Sequence, residues 1–524
     1  MAADLTSVLL LSLVLVTPLC AQAVQPVVAD KQPPISPADV HFGGKLEDQR
    51  PYQVRWRGNT CLSVEPRAAE FPFFDDALPV RPTPPIEKPA TAGSPPDGSA
   101  LVGRIADAEI RAGVEAAISK NLIPAATEQY YPGYFTISAD GQAYGGGATW
   151  PGLDSWQMAG AYLLLGRTRL VLDYFDFVRA SQRKDGAIPF AIFTGDTRPG
   201  GYLCGLKYPE DAFTYKPPTR EGAPASSEET RTWIGLFEHW QPKANPLSTL
   251  GSICYILTAA EIYDATHSLP WLRGRLPSVE AAATFVLSRK SDNGLIGGSG
   301  FYTELPPRYG WDGVTQCYAI HAFREMARLC RAARDRRNEA AWSGRAAKLT
   351  KTFIAAFWRQ DHLAEYLHAE RGLVDSHGLS DVNWAAVAFG IADDRKLKLL
   401  WPRLLQEPAF WVGDMPTQTV TNPFNYEKWE YNEPVPFAVS PLNDVAAMGR
   451  AWYLEATACQ RMHARERLVE SVRKVCRAAT DGYWRERYHP QPNGCVSPAG
   501  AEKYCEYAAV LVRVVFGNRE AFCH

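Results

Sequence analysis

The 524-residue chain carries no excess of either charge, with 55 Lys and Arg against 57 Asp and Glu. That balance removes any bulk electrostatic reason to expect nucleic acid as a partner. No apolar run is long enough to cross a bilayer; the N-terminal one, Val8 to Val16, is far short of the roughly 20 residues a spanning helix needs. Cys-x-x-Cys and His-Glu-x-x-His are both absent, so a zinc site has no support. The glycine-rich stretches at Gly145 to Gly147 and Gly294 to Gly300 lack the Lys and Ser/Thr of a phosphate loop, and there is no Gly-x-Ser-x-Gly nucleophile elbow. His239, His321, His362 and His377 have no ligand spacing and read as packing or surface residues. No metal or cofactor is expected.

What remains is a long chain that is 46% apolar, ample for a large core and too long for one minimal domain. Val8 to Val16 followed by Ala21-Gln22-Ala23 reads as a signal peptide over 1–23, cut after Ala23, although this stretch carries Asp4 and no Lys or Arg. The chain is therefore expected to be secreted or periplasmic. A lipid anchor at Cys20 is the lesser alternative, because Leu19 is large for such a site. Cys20 aside, ten cysteines remain, and export predicts pairing among Cys476, Cys495, Cys505 and Cys523.

Residues 24–100 are rich in proline and poor in periodic pattern, which predicts an extended segment or strap. From 101 to 524 the apolar spacing turns helical. Helices are expected over Ile105 to Ser119, Ser155 to Arg179, Leu247 to Tyr263, Val279 to Leu287, Val314 to Arg331 and Glu339 to Trp358. Others are expected over Val382 to Ile391, Arg395 to Leu405, Leu442 to Ala458, Arg465 to Ala478 and Ala499 to Val515. Paired helices with long loops gathered at one end predict an all-α fold, a closed toroid of helical hairpins, with function left to the loops.

Four loop segments place carboxylates beside aromatics and glycines: 150–157, 308–313, 380–384 and 425–433. Hydrolysing a glycoside takes two carboxyl groups, one to protonate the leaving oxygen and one to activate water. On a toroid these must come from different loops. Asp154, Asp312 and Asp381 each also read as helix N-caps, and Glu427 and Glu430 as surface charges beside Lys428. The 15 tryptophans suit sugar faces or a large core equally well.

In order along the chain, these segments resemble the motifs of the trehalase and mannosyl-oligosaccharide glucosidase group, which includes the mannosylglycerate hydrolases. Gly310-Trp311-Asp312 resembles the group's Gly-Trp-Asp, which implies Asp312 as general acid, with Arg308-Tyr309 standing where the group has Glu-Ser. Glu427-Lys428-Trp429-Glu430 resembles Glu-Lys-Tyr-Asp, which implies Glu427 as base. Trp429-Glu430-Tyr431-Asn432 resembles a related pattern that implies Glu430, the slightly favoured choice. Leu153-Asp154-Ser155-Trp156, Gly186-Ala187-Ile188-Pro189 and Gln241-Pro242 resemble substrate-loop segments. The trehalase Gln-Trp-Asp-Tyr-Pro signature is missing; Ser380-Asp381-Val382-Asn383-Trp384 stands at its place.

The resemblance, covering about 125–460, implies a six-hairpin (α/α)6 barrel and an inverting glycosidase acting on an α-linked sugar as a monomer. Asp154, Trp156, Gln241, Arg308, Trp311, Asp381, Asn383, Trp384 and Trp429 are then expected to bind substrate, an oligosaccharide or small glycoside. The rivals are an α-L-rhamnosidase, an unsaturated-uronide hydrolase or a polysaccharide lyase on the same toroid, or a carbohydrate-binding barrel without activity.

Overall fold

The computed structural model describes the backbone strands within 52–66, then 98–127, 135–140, 149–179, 182–190, short strands within 191–239, 249–297, parts of 302–310, 311–406, parts of 410–420, 421–430 and 444–523. The expected signal peptide and lipid-anchor cysteine, Gln241 and Tyr431-Asn432 lie outside the described residues. Within the proline-rich segment two strands, Tyr52–Arg57 and Thr60–Pro66, pair antiparallel.

Twelve helices of eight residues or more occur among the described residues. They are α1 (Ala108–Ala116), α2 (Leu153–Leu164), α3 (Thr168–Arg179), α4 (Leu250–Thr266), α5 (Leu269–Ser288) and α6 (Gly313–Ala333). Then come α7 (Arg336–Phe357), α8 (Asp381–Ala388), α9 (Asp394–Gln406), α10 (Gly449–Arg461), α11 (Arg465–Ala478) and α12 (Glu506–Gly517).

Sequence pattern sorts them into two layers. Every residue of α8 and every residue of α4 from Leu250 to Ala260 is buried, which marks helices surrounded by protein. In α11 burial falls on Leu468, Ser471, Val472 and Val475, the one-sided stripe of an outer helix. The even-numbered helices pack in sequence, α2 on α4, α4 on α6, α6 on α8, α8 on α10, α10 on α12, and α12 back on α2. The odd-numbered helices pack outside them, and α11 meets α1 to complete the outer layer. This closed double ring is the expected all-α (α/α)6 toroid.

Helix boundaries differ from expectation where backbone geometry intervenes. The helix expected over Ser155 to Arg179 is two, broken at Gly166 with φ +76°. The one expected from Leu442 begins at Gly449, because Ala447 instead bridges Gln418 and Tyr488. The last begins at Glu506 rather than Ala499, which ends a strand.

The cysteine expectation is corrected: Cys476, Cys495, Cys505 and Cys523 are all free thiols. Three of them lie in different neighbourhoods. Cys476 on α11 presses on Gly113 of α1, Cys505 Sγ faces the carbonyls of Asn121 and Lys503, and Cys495 is exposed beside a hairpin turn.

The six inner helices run the same way, so their N-termini share one end of the ring. Residues from the first turns of α2, α10 and α12 meet there (Asp154, Arg450, Glu506), as do those at the heads of α6 and α8 (Asp312, Asp381). Gly152, which caps α2, lies against Leu250 at the head of α4. Over this mouth lies a three-stranded antiparallel sheet of β1 (Trp311–Asp312), β2 (Tyr366–His368) and β3 (Gly372–Val374). Gly310 leads into it at φ +100°, and a Cβ there would stand 2.4 Å from the Leu367 carbonyl oxygen, so only glycine lets the two strands close.

Candidate active site

Arg308 is the hub of the mouth. It is 2% exposed and sits in left-handed backbone at φ +37°, a strain that folds tolerate mainly at functional positions. Its guanidinium reaches three carboxylates from three segments: Asp312 at 3.0 Å, Glu365 at 2.6 Å and Asp381 at 3.0 Å. Burial alone would push the guanidinium down, but these anions hold it well above its usual value, so it stays charged.

Asp312 does cap α6, as expected. Its Oδ2 accepts from the Thr315 N–H at 2.6 Å and the Thr315 hydroxyl at 2.9 Å, while Oδ1 accepts from Arg308. Asp154 and Asp381 are not caps. Gly152 and Ser380 occupy those positions, which leaves both Asp side chains in the first helical turn and free to point at arginines. Burial pushes the Asp381 carboxyl up to about 6 against the opposing pull of Arg308, and the Tyr302 hydroxyl donates to it.

Glu365, just before β2, and His377, just after β3, are brought together by that hairpin. His377 Nδ1 lies 2.5 Å from Glu365 and Nε2 lies 3.2 Å from Glu430, with all three side chains buried. Despite burial, Arg308 and His377 bring Glu365 down to about 2; despite burial, Glu365 and Glu430 lift His377 to about 9. The imidazole is thus a cation clamped between two carboxylates, with the Tyr426 ring stacked on it at 3.6 Å.

The two candidate bases part company. Glu430 is buried, accepts from the Tyr366 hydroxyl, and receives the Glu427 N–H at 2.8 Å. The Glu427 side chain points to solvent, where it takes the Trp429 indole N–H at 3.0 Å. Trp429 is half-buried at the rim with Arg371 over its ring at 4.1 Å, and Trp311 is half-buried with its indole N–H on Ser291.

Two expected sugar-lining tryptophans and one asparagine are corrected. Trp156 is buried inside the ring against Tyr318 and Tyr453, its indole N–H given to Glu261 at 2.8 Å. Trp384 is buried against Trp401 and Phe410. Asn383 spends its amide on both backbone groups of Leu363. Two or three residues beyond a mouth carboxylate the helix has already entered the core, which the aromatic count could not reveal.

A second buried hub adjoins the first. Arg450 reaches Glu506 at 2.9 Å, Asp154 at 3.2 Å and Glu486 at 3.9 Å. Arg487 pairs with Glu486 and Asp444. Burial pushes Glu506 up to about 8 against Arg450, and raises Asp154 as well. Tyr302 joins the hubs, since its hydroxyl serves Asp381 and its ring centroid lies 6.0 Å from the Arg450 guanidinium.

Sequence reasoning missed Glu365, His377, Tyr302, Tyr366, Arg450, Glu486 and Glu506. The one signal available was charge at the head of an otherwise apolar helix, as at Arg450 and Glu506. Among the described residues no group of side chains is arranged to hold a metal ion, and no helix is long and apolar enough to cross a membrane.

No family model and no curated protein matches the sequence. Solved structures do match. A rhamnosidase from Klebsiella oxytoca with rhamnose bound superposes with a TM-score of 0.52 at 10% identity, covering 78% of this chain and 64% of that one. A bacterial glucoamylase complexed with acarbose gives 0.50 at 10% identity over 81% and 58%. A GH63 mannosylglycerate hydrolase from Thermus thermophilus in complex with glucose gives 0.48 at 12% identity over 76% and 98%. The chain spans less than two thirds of the length of the first two. At this identity the likeness is one of fold: the chain is a six-hairpin (α/α) toroid built like the rhamnosidase and the glucoamylase.

Proposed function

We propose that the protein is an exported glycoside hydrolase that works at the mouth of the toroid through two carboxyl groups, with inversion. The observation that carries this reading is the convergence of Asp312, Glu365, Asp381 and Glu430 on one buried Arg308–His377 pair. Glycoside hydrolysis needs carboxyls in different protonation states side by side. Glu430 is the base, its oxygens oriented by Tyr366, His377 and the Glu427 N–H. The proton donor is one of the two aspartates on Arg308. The family resemblance favours Asp312, and the lift of Asp381 to about 6 favours Asp381.

A lyase or uronide hydrolase is disfavoured on charge. It needs a free cation to neutralise the substrate carboxylate, and both Arg308 and Arg450 are already engaged by three carboxylates each.

The test is a panel of alkyl and nitrophenyl α-glycosides, with the first-formed anomer followed by NMR. Losing the acid should cost about 10²–10⁴ in rate on alkyl leaving groups and far less on nitrophenolate, which leaves without protonation. Whichever of Asp312→Asn and Asp381→Asn shows that pattern identifies the donor. Retention of configuration rejects inversion. Full activity in Glu430→Gln and both aspartate variants rejects the site.

A further inference from the structure

The end of the ring opposite the mouth holds open space. A cavity of about 560 Å³ lies there, a size that suits a small molecule. Its walls come from the C-terminal halves of four consecutive inner helices, including Leu164 of α2, Ala265 of α4, Ala456 of α10 and Val514 of α12. Leu164 stands ten residues beyond Asp154, about 15 Å along α2, so the cavity is distinct from the carboxylate cluster at the mouth. Trp156 lies between the two, with Tyr318 and Tyr453 edge-on to it at 6.0 and 5.2 Å. Gly160 shapes the wall, because a Cβ there would collide with the Arg513 guanidinium that crosses α2 at this point.

The charged groups of the wall are paired, with one exception. Arg513 holds Glu261 through two bonds, at 2.6 and 3.0 Å. Arg328 holds Asp264 at 2.5 and 2.9 Å and also serves Glu325. Arg519, exposed at the rim, gives its Nε–H to the Phe516 carbonyl and has no carboxylate partner among the described residues. Glu261, Asp264 and Glu325 thus balance Arg513, Arg328 and Arg519. The backbone does not balance. Each of the four helix C-termini contributes about half a negative charge, about two in all.

Bonding capacity points the same way as the charge. Glu261 Oε2 and each oxygen of Asp264 accept one bond where a carboxylate oxygen can accept two. The two residues are three apart on α4 and share one face. Asn518 spends its amide N–H on the Val514 carbonyl, which leaves its oxygen as an acceptor. We infer that this cavity is a second ligand site that takes a small organic cation, a primary amine carried on a compact aliphatic body. The ammonium donates to Glu261 and Asp264, where the helix ends favour positive charge. The aliphatic body lies on Leu163, Leu164 and Val514. The same field repels a carboxylate, and a neutral molecule of equal shape gains only the apolar contact. The inference stands apart from the hydrolase reading.

Cyclohexylamine, cyclohexanol and cyclohexanecarboxylate share one body and differ in charge. Their binding to the full chain is measured by calorimetry and saturation-transfer NMR at low salt and near-neutral pH. The amine should bind about tenfold more tightly than the alcohol, and the carboxylate more weakly than either. Ala265 is exposed on the cavity wall, so Ala265→Trp fills the space from outside the core. It should abolish amine binding while the melting temperature moves by no more than about 2 °C. Two further variants test the sign of the field. Arg519→Ala should tighten amine binding about threefold, and Asp264→Asn should loosen it about fivefold.

Undiminished amine binding in folded Ala265→Trp places the amine elsewhere and overturns the inference. So does tighter binding of the carboxylate than of the amine, or the absence of amine binding at millimolar concentration. Changes of opposite sign in Arg519→Ala and Asp264→Asn show an anion site and also overturn it; this pair decides the matter if Ala265→Trp fails to fold. None of these readouts depends on turnover. The cavity can therefore fail while the hydrolase reading holds, and the hydrolase reading can fail while the cavity holds.

Discussion

Replacing His377 by Asn removes the cation held between Glu365 and Glu430, and the consequence should depend on pH in a defined direction. The imidazole is lifted from the usual histidine value of 6.5 to about 9 by its two carboxylates, against burial. A raised histidine stabilises the folded state fully below the unfolded value and loses that contribution as pH climbs through the folded one. The rise is roughly two and a half units, worth about 3 kcal/mol at an order-of-magnitude level. The low value of Glu365 comes first from Arg308 and then from His377, and the His377 share is the same pair and is not added again. Equilibrium urea unfolding, followed by tryptophan fluorescence, should therefore find the variant less stable than wild type by about 3 kcal/mol plus a packing loss near pH 6. By about pH 9.5 that gap should shrink to the packing loss alone. A gap of constant size across this range would refute the reading of His377 as a buried cation.

Other outcomes follow from the same geometry. Glu430→Gln should lower glycosidase turnover by about 10²–10⁴, while Glu427→Gln stays within about threefold, because Glu427 serves Glu430 through its backbone N–H. Trp384→Ala should cost about 3–5 kcal/mol in unfolding free energy, as for a large core truncation, whereas Trp429→Ala at the rim should cost under about 1 kcal/mol. In native protein a thiol reagent should label Cys495 quickly and reach Cys254, Cys317 and Cys505 only on unfolding, as counted by mass spectrometry. Reductant should leave the melting temperature unchanged if none of the eight described cysteines is paired.

The toroid was legible because paired helices alternate with long loops, and the structure adds the layers: a helix buried all round, as over 250–260, lies inside, and one with a single stripe, as over 465–478, lies outside. The heads of those helices were legible too, which is why Asp154, Asp312 and Asp381 stood out. Glu365 and His377 did not, because they flank two strands of three residues each, too short to show alternation. Their meeting with Glu430 depends on a fold that joins residues more than 50 positions apart. Tryptophan was the misleading signal. Trp156 lies two residues beyond Asp154 and so about 200° round its helix, while Trp384, three residues beyond Asp381, shares that face but stands a turn deeper, against Trp401 and Phe410.

The common direction of the six inner helices bears on why so much acid is tolerated at the mouth. Eight carboxyl groups gather there (Asp154, Asp312, Glu365, Asp381, Glu430, Asp444, Glu486 and Glu506) against Arg308, Arg450, Arg487 and the His377 imidazolium, a surplus of four negative charges if all were ionised and of about two with Glu506 and the proton-donating aspartate neutral. Each helix N-terminus presents about half a positive charge from its aligned peptide dipoles, so six of them supply about three. The backbone thus offsets the surplus that the side chains leave. The opposite end of the same ring carries the negative ends of those dipoles and would resist the same cluster. Topology alone therefore assigns carboxylate chemistry to one end of this ring.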